Sequence, residues 1–174
     1  MHHVLPQAFF DRPTVEVARD LLGKNLVRVV GRERIALPIT EVEAYDGFKD
    51  KASHAHKGAT ARNVVMFGEA GYWYVYLVYG MHWMLNIVTG PRDYPAAILM
   101  RSAGGVIGPG RLTKHFLIDK TNNGVKSVLT EGLFIEESGI MVSPREIVKT
   151  PRIGVAYAGP VWSQKPYRFV WKRR

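Results

Sequence analysis

The 174-residue chain is long enough for one ordinary domain around a single hydrophobic core, and no linker, repeat or low-complexity tract divides it, so residues 1–174 read as one domain. Its 47% hydrophobic content and mean hydropathy of -0.08 suit a soluble globular protein, and no stretch reaches the ~20 apolar residues of a membrane span. Cysteine is absent, which excludes disulfides, thiolate nucleophiles and zinc–thiolate sites, while 24 Lys plus Arg against 15 Asp plus Glu give a net charge of +9 suited to a polyanion such as nucleic acid.

The opening residues show no basic segment followed by an apolar core, so no secretory signal is expected. The first element reads as a helix: Asp11 as its cap, Pro13 in the first turn, Val15, Ala18, Leu21 and Leu22 as an apolar stripe, and Gly23 as its stop. Strands are predicted over 25–30 and 35–44, with a charged turn around Gly31 between them. The segment 46–71, rich in Gly, Lys and His, reads as a long loop, and loops of that length in compact domains are usually functional. Two β-rich runs, 72–78 and 81–88, flank Tyr79-Gly80 and predict a hairpin. A further strand is expected at 96–103, a helix opening at Gly108-Pro109-Gly110 and running to Phe116 or Leu117, and short strands at 133–136 and 167–171. Strands joined by hairpins with few helices between them predict an α+β fold: a mostly antiparallel, curved sheet with a protruding β-hairpin and flanking helices.

Chemistry concentrates in a few places. On a strand, Glu41, Glu43 and Tyr45 share one face. Two carboxylates beside an aromatic ring make a poor dry core; they suit either a solvent-facing edge or a site where a base activates water. In the hairpin, Tyr72, Tyr74 and Tyr76 point one way and Trp73, Val75 and Leu77 the other, so one face is core and the tyrosine face is a candidate platform for stacking nucleobases. Tyr79, at the turn, either folds back onto the sheet or projects as a wedge between base pairs. His54 sits in a His-rich loop and could be a plain surface residue, while Arg62, Asn63 and Arg101 are possible partners of phosphate or carboxylate. Gly108-Pro109-Gly110-Arg111 reads either as a structural turn or as a helix start facing phosphate. His-x-x-x-His and Glu-x-x-His spacings are both missing, so neither a metal nor another cofactor is expected. No lysine stands out as an imine-forming nucleophile.

Taken together, Ile39-Thr40-Glu41-Val42-Glu43-Ala44-Tyr45, Ala52-Ser53-His54, Arg62-Asn63-Val64-Val65-Met66-Phe67 and Tyr74 to Trp83 closely resemble the alkyladenine (3-methyladenine) DNA glycosylase family. The order and spacing also match at Asn86, Leu99-Met100-Arg101, 108–112, 151–155 and 165–169, so the likeness covers nearly the whole chain. The resemblance implies a monofunctional enzyme of base-excision repair that flips alkylated or deaminated purines out of double-stranded DNA and hydrolyses the N-glycosidic bond. It implies Glu43 as the base acting on water, Arg101 beside that water, and Tyr45, His54 and Tyr76 around the flipped base. It further implies Tyr79 as the residue filling the gap in the duplex and Asn86 as a pocket residue that rejects guanine. Cationic alkylpurines are expected to gain from cation–π attraction in such an aromatic cage. The sequence departs from the family pattern in a His54–Asn63 loop about one residue shorter, in Ala61 where proline is expected, and in Met84 where a small residue is expected.

A monomer is the default expectation, in the bacterial cytoplasm with the nucleoid or in a eukaryotic nucleus; the near-immediate start of the fold suggests a bacterial or otherwise minimal family member. The rival class is a non-catalytic nucleic-acid-binding relative, which has no use for Glu41 and Glu43 beside its stacking surface. A nuclease, by contrast, would depend on a metal held by clustered carboxylates.

Overall fold

The computed structural model describes residues 3–172. Two short helices, α1 (Gln7–Phe10) and α2 (Thr14–Asp20), precede strands β1 (Asn25–Val30) and β2 (Glu33–Asp46). The hairpin β3 (Trp73–Val78) and β4 (His82–Val88) leads into β5 (Ala96–Ala103), the two-residue β6 (Val106–Ile107) and helix α3 (Pro109–His115). Strands β7 (Leu133–Glu136) and β8 (Ile147–Thr150), helix α4 (Gly159–Ser163) and β9 (Arg168–Trp171) complete the order. Among the described residues the strands form one antiparallel sheet with the path β3-β4-β5-β2-β1-β7; β6 adds to β5, and β9 joins β2 and β8. The fold is α+β, as the hairpin-linked strands predict.

Strand β2 organises the molecule. Its first half pairs with β1, from Val30↔Glu33 to Asn25↔Pro38; its second half pairs with β5, and residues 41–43 also pair with β9. Pro38, which has no N–H to give a ladder, stands where β1 ends. The β2–β5 register shifts on both sides of Glu41: Ile39 faces Ala103, Glu41 faces Ser102, and Val42 faces Met100. Thr40 and Arg101 are the residues left over by these two irregularities. A bulge re-aims side chains, and this one turns Arg101 and Ser102, consecutive on β5, toward one carboxylate on β2.

The core lies on the opposite face of β2. Val42 and Ala44 pack there with Leu21, Leu26, Ile87, Ile98, Met100, Leu112, Phe116 and Phe169. Burial of apolar area at roughly 25 cal/mol per Å² is what fixes the strand's register. Trp73 and Val75 join this core, and the Trp73 indole N–H donates to the Leu133 carbonyl at 3.0 Å. The other face of β3 supplies Tyr74 to a second, smaller cluster with Ala55, Met66, Val88 and Ala97. Helix α3 starts with Pro109 in its first turn, buries Leu112, and is tied to β4 by the Thr113 hydroxyl donating to Trp83 O at 2.9 Å.

Two readings of the sequence need correction here. Asp11 does not cap the second helix: that helix begins at Thr14 with Pro13 at the cap position and no side-chain cap, while Asp11 ends the preceding α1. Pro13, with ψ 125°, turns the chain into the helix, leaving Asp11 a turn away from the free N–H groups. The tyrosine face is also shorter than alternation suggests. Tyr72 precedes β3 in an isolated bridge to Lys126 and lies against the Lys126 ammonium, 5.8 Å from the ring centre, whereas Tyr74 and Tyr76 face the cavity.

Candidate active site

A cavity of about 390 Å³ opens between β2, β3–β5, the loop at 52–54 and the segment 153–157. That size is within the ~300–1,000 Å³ of small-molecule sites. Glu43, Tyr45, His54, Tyr76, Tyr79, Asn86 and Arg101 all line it, so the seven positions singled out in the sequence converge on one space.

Glu43 forms the floor and is fully buried. Its Oε1 accepts the backbone N–H of Ile153 at 2.8 Å and lies 3.3 Å from Arg101 Nη1; its Oε2 accepts the Tyr45 hydroxyl at 2.9 Å. A carboxylate offers about four acceptor positions, so one position on Oε2 remains. Burial first, and the neighbouring Glu43 charge second, hold the Tyr45 phenol far above its ordinary pKa, so it stays a donor.

Glu41, two residues back on the same face, has a different environment. It accepts Arg101 Nε at 2.9 Å, Arg168 Nη1 at 2.9 Å and the Ser102 hydroxyl at 2.9 Å. Burial pushes its pKa up, but the hydrogen bonds from Arg168 and Ser102 and the charge of Arg101 outweigh it, so the net shift is downward. Glu41 thereby fixes the Arg101 guanidinium by its Nε edge and leaves Nη1 directed at Glu43.

The aromatic walls are built from separate parts of the chain. His54 meets Tyr76 edge to face, with centroids 4.7 Å apart at 71°, and Tyr74 lies 5.1 Å from Tyr76. Burial, then the positive charge of Arg62, depress the His54 pKa, so the imidazole is neutral at neutral pH. Desolvation raises both phenols of β3, that of Tyr74 to about 12. The loop carrying His54 is closed by Asn63, whose amide donates to the carbonyls of His54 at 3.0 Å and Gly58 at 3.1 Å. Asn63 is therefore a loop brace, and Arg62 donates to Leu77 O at 2.9 Å. Asn86 is buried, and its amide nitrogen donates to Tyr74 O and Met84 O at 3.1 and 3.3 Å, leaving its oxygen as the polar atom for the cavity.

The hairpin tip stands apart. Tyr79 is 88% exposed and Met81 71%. Both Tyr79 (φ 52°) and Gly80 (φ 66°) adopt left-handed backbone in a two-residue turn closed by Met81 N to Val78 O at 3.1 Å. This is the mirror-type turn that matches strand twist, and Tyr79 occupies it at a cost of about 1 kcal/mol for a residue with a Cβ.

The full length of the chain agrees with one family. The family model described as Methylpurine-DNA glycosylase matches residues 8–107 and 104–174. A protein of Methanocella arvoryzae, provisionally named a 3-methyladenine DNA glycosylase, is 45% identical over 95% of this chain and 91% of its own length. Proteins with the same provisional name from Anaeromyxobacter dehalogenans and Legionella pneumophila are 46% and 42% identical, over 95% and 97% of this chain and 82% and 94% of their own lengths. The chain belongs to the methylpurine-DNA glycosylase family.

Within this family member, a buried ion pair outside the sequence-derived site residues holds three walls together. Arg152 donates from Nη2 to Asp50 Oδ1 at 2.8 Å and from Nη1 to Asp50 Oδ2 and to Ala44 O, and both side chains are fully buried. Asp50 also accepts the N–H groups of Asp46 and Ala52, and so shapes the loop leading to His54. The residue after Arg152 is Ile153, whose N–H reaches Glu43. Tyr157 adds a second tie, its hydroxyl donating to Ala52 O at 2.8 Å. No local signal marks the Asp50–Arg152 pair, whose members lie 102 residues apart; Arg152 was visible only as part of the matched 151–155 stretch. Among the described residues no group of three or more His, Asp or Glu side chains could hold a metal ion, and no helix is long and apolar enough to cross a membrane.

Proposed function

We propose that this protein is a monofunctional DNA glycosylase that extrudes a damaged purine from double-stranded DNA into the aromatic cavity and hydrolyses its bond to deoxyribose. The observation that carries the reading is a carboxylate with one open acceptor position at the floor of a purine-sized aromatic cavity, beside an exposed tyrosine, on a protein of net charge +9.

A base inside the stack is out of reach of any side chain, so extrusion costs a few kcal/mol, less where damage has weakened pairing. Stacking against Tyr45, His54 and Tyr76 offsets that cost at ~1–3 kcal/mol per stack, and Tyr79 fills the gap in the duplex. Glu43 takes a proton from water through its remaining Oε2 position while its charge stabilises the oxocarbenium character of the breaking bond. The Ile153 N–H, the Tyr45 hydroxyl and Arg101 keep the carboxylate ionised and aimed. Glu43 has no solvent-exposed surface in the DNA-free protein, so water reaches it only with a small shift of the Tyr45 ring or the Arg101 guanidinium. Asn86, rigid under two carbonyls, presents an oxygen or its amide edge to the purine and selects against guanine.

The test is release of free base from duplexes that each carry one defined lesion. Release without strand cleavage, and without a borohydride-trapped adduct, is the expected result. Binding to lesion-bearing duplex with no base release from any of them would instead establish the binding-only alternative.

A further inference from the structure

Both aromatic walls of the cavity are backed by a guanidinium. Arg152 lies 4.7 Å from the ring centre of Tyr45, and Arg62 lies 5.0 Å from that of Tyr76. The rings line the cavity and neither arginine does, so each ring stands between a fixed positive charge and the space a base would occupy. Both arginines are anchored, Arg152 by Asp50 and Ala44 O and Arg62 by Leu77 O.

An aromatic face attracts a cation through its quadrupole. Here one face of each tyrosine is already engaged by a cation. A positively charged base on the inner face would share the same polarised ring and would also sit within the ~10 Å screening length of the guanidinium behind it, so the repulsion is not screened away. An uncharged purine meets no such repulsion and still gains the stacking. The carboxylate at the floor does not reverse this balance, because Arg101 lies 3.3 Å from Glu43. The lining itself responds in the same sense: His54, which packs on Tyr76, is discouraged from holding a proton by burial and by Arg62.

We propose that the two arginine-backed tyrosines make the cavity select by charge, favouring uncharged damaged purines over cationic ones, with Arg62 as the adjustable determinant. This rests on the glycosylase reading, and it reverses the expectation that an electron-rich cage favours cationic alkylpurines.

Arg62 is exposed, so its replacement leaves the core intact. The experiment compares single-turnover base release from two otherwise identical duplexes, one carrying cationic 7-methylguanine and one carrying uncharged hypoxanthine, with spontaneous loss subtracted. In Arg62→Gln the ratio of cationic to uncharged release should rise about two- to fivefold over the unmodified protein, and that gain should shrink as salt is raised. Arg62→Lys, which keeps the charge, should stay near the original ratio. An unchanged ratio in Arg62→Gln, or equal slowing of both lesions in both variants, would overturn the proposal and leave Arg62 as a mere brace between loop and hairpin. Release of only the cationic base by the unmodified protein would also overturn it while leaving the glycosylase reading intact. Release of neither base would remove both.

Discussion

The floor of the cavity and the tip of the β3–β4 hairpin lie in one site but are built on opposite terms. At the floor, Glu43 is fully buried and held by three donors from three parts of the chain. At the tip, Tyr79 and Met81 are large apolar side chains left in solvent, on a backbone fixed by a two-residue turn. The floor suits chemistry, where an error of an ångström in a reacting atom is costly. The tip suits contact with a partner that arrives from outside. Activity and recognition should therefore be separable by mutation.

The sharpest break in that comparison is at the floor. Glu43→Gln should lower base release by about 10²–10⁴-fold, the usual worth of a positioned base, while leaving lesion binding measurable by gel shift. Comparable release by that variant would remove Glu43 as the base. Next in size is the tie behind the floor. Arg152→Met leaves Asp50 buried without its partner and should lower unfolding stability by about 3–5 kcal/mol in urea titrations; a loss below ~1 kcal/mol would mean the pair is not what joins the walls. At the tip, Tyr79→Ser should leave stability unchanged or slightly improved and weaken duplex binding by about tenfold, with reduced 2-aminopurine fluorescence beside the lesion. Unaltered fluorescence would remove Tyr79 as the wedge. A smaller change is expected between the two regions, where Asn86→Ser should raise guanine release from undamaged duplex several-fold; no rise would argue against an amide gate. The smallest expected effect is none: excision should be indifferent to EDTA, and inhibition by the chelator would require a metal-dependent route instead.

Much of this was legible locally. The hairpin announced itself through β-rich runs around Tyr79-Gly80, and β1, β5 and β7 fall at the residues that composition predicts. Strand β2 is longer at both ends than its apolar pattern, because pairing with β1 and β5 carries Glu33, Arg34 and Asp46 into the ladder. Short elements escaped notice: α1, β6, β8 and α4 have two to five residues each, too few for a period to show. Within the site, Glu43 and Tyr45 follow from strand alternation alone. What made Glu41 a brace for Arg101 was the double register shift, which no single-strand pattern contains. Asp50, Arg152, Ile153 and Tyr157 act through contacts across about a hundred residues, and only folding brings them together.

The turn at Tyr79-Gly80 has one more consequence. Because the backbone there is set by a tight mirror-type turn and not by a floppy loop, the tyrosine projects in one direction before any duplex arrives. The ordering entropy of that projection is met when the chain folds, not at each encounter with DNA. A protein that must inspect many intact base pairs for each damaged one then carries a stiff feeler, and the time spent per inspection is governed by how readily the helix yields.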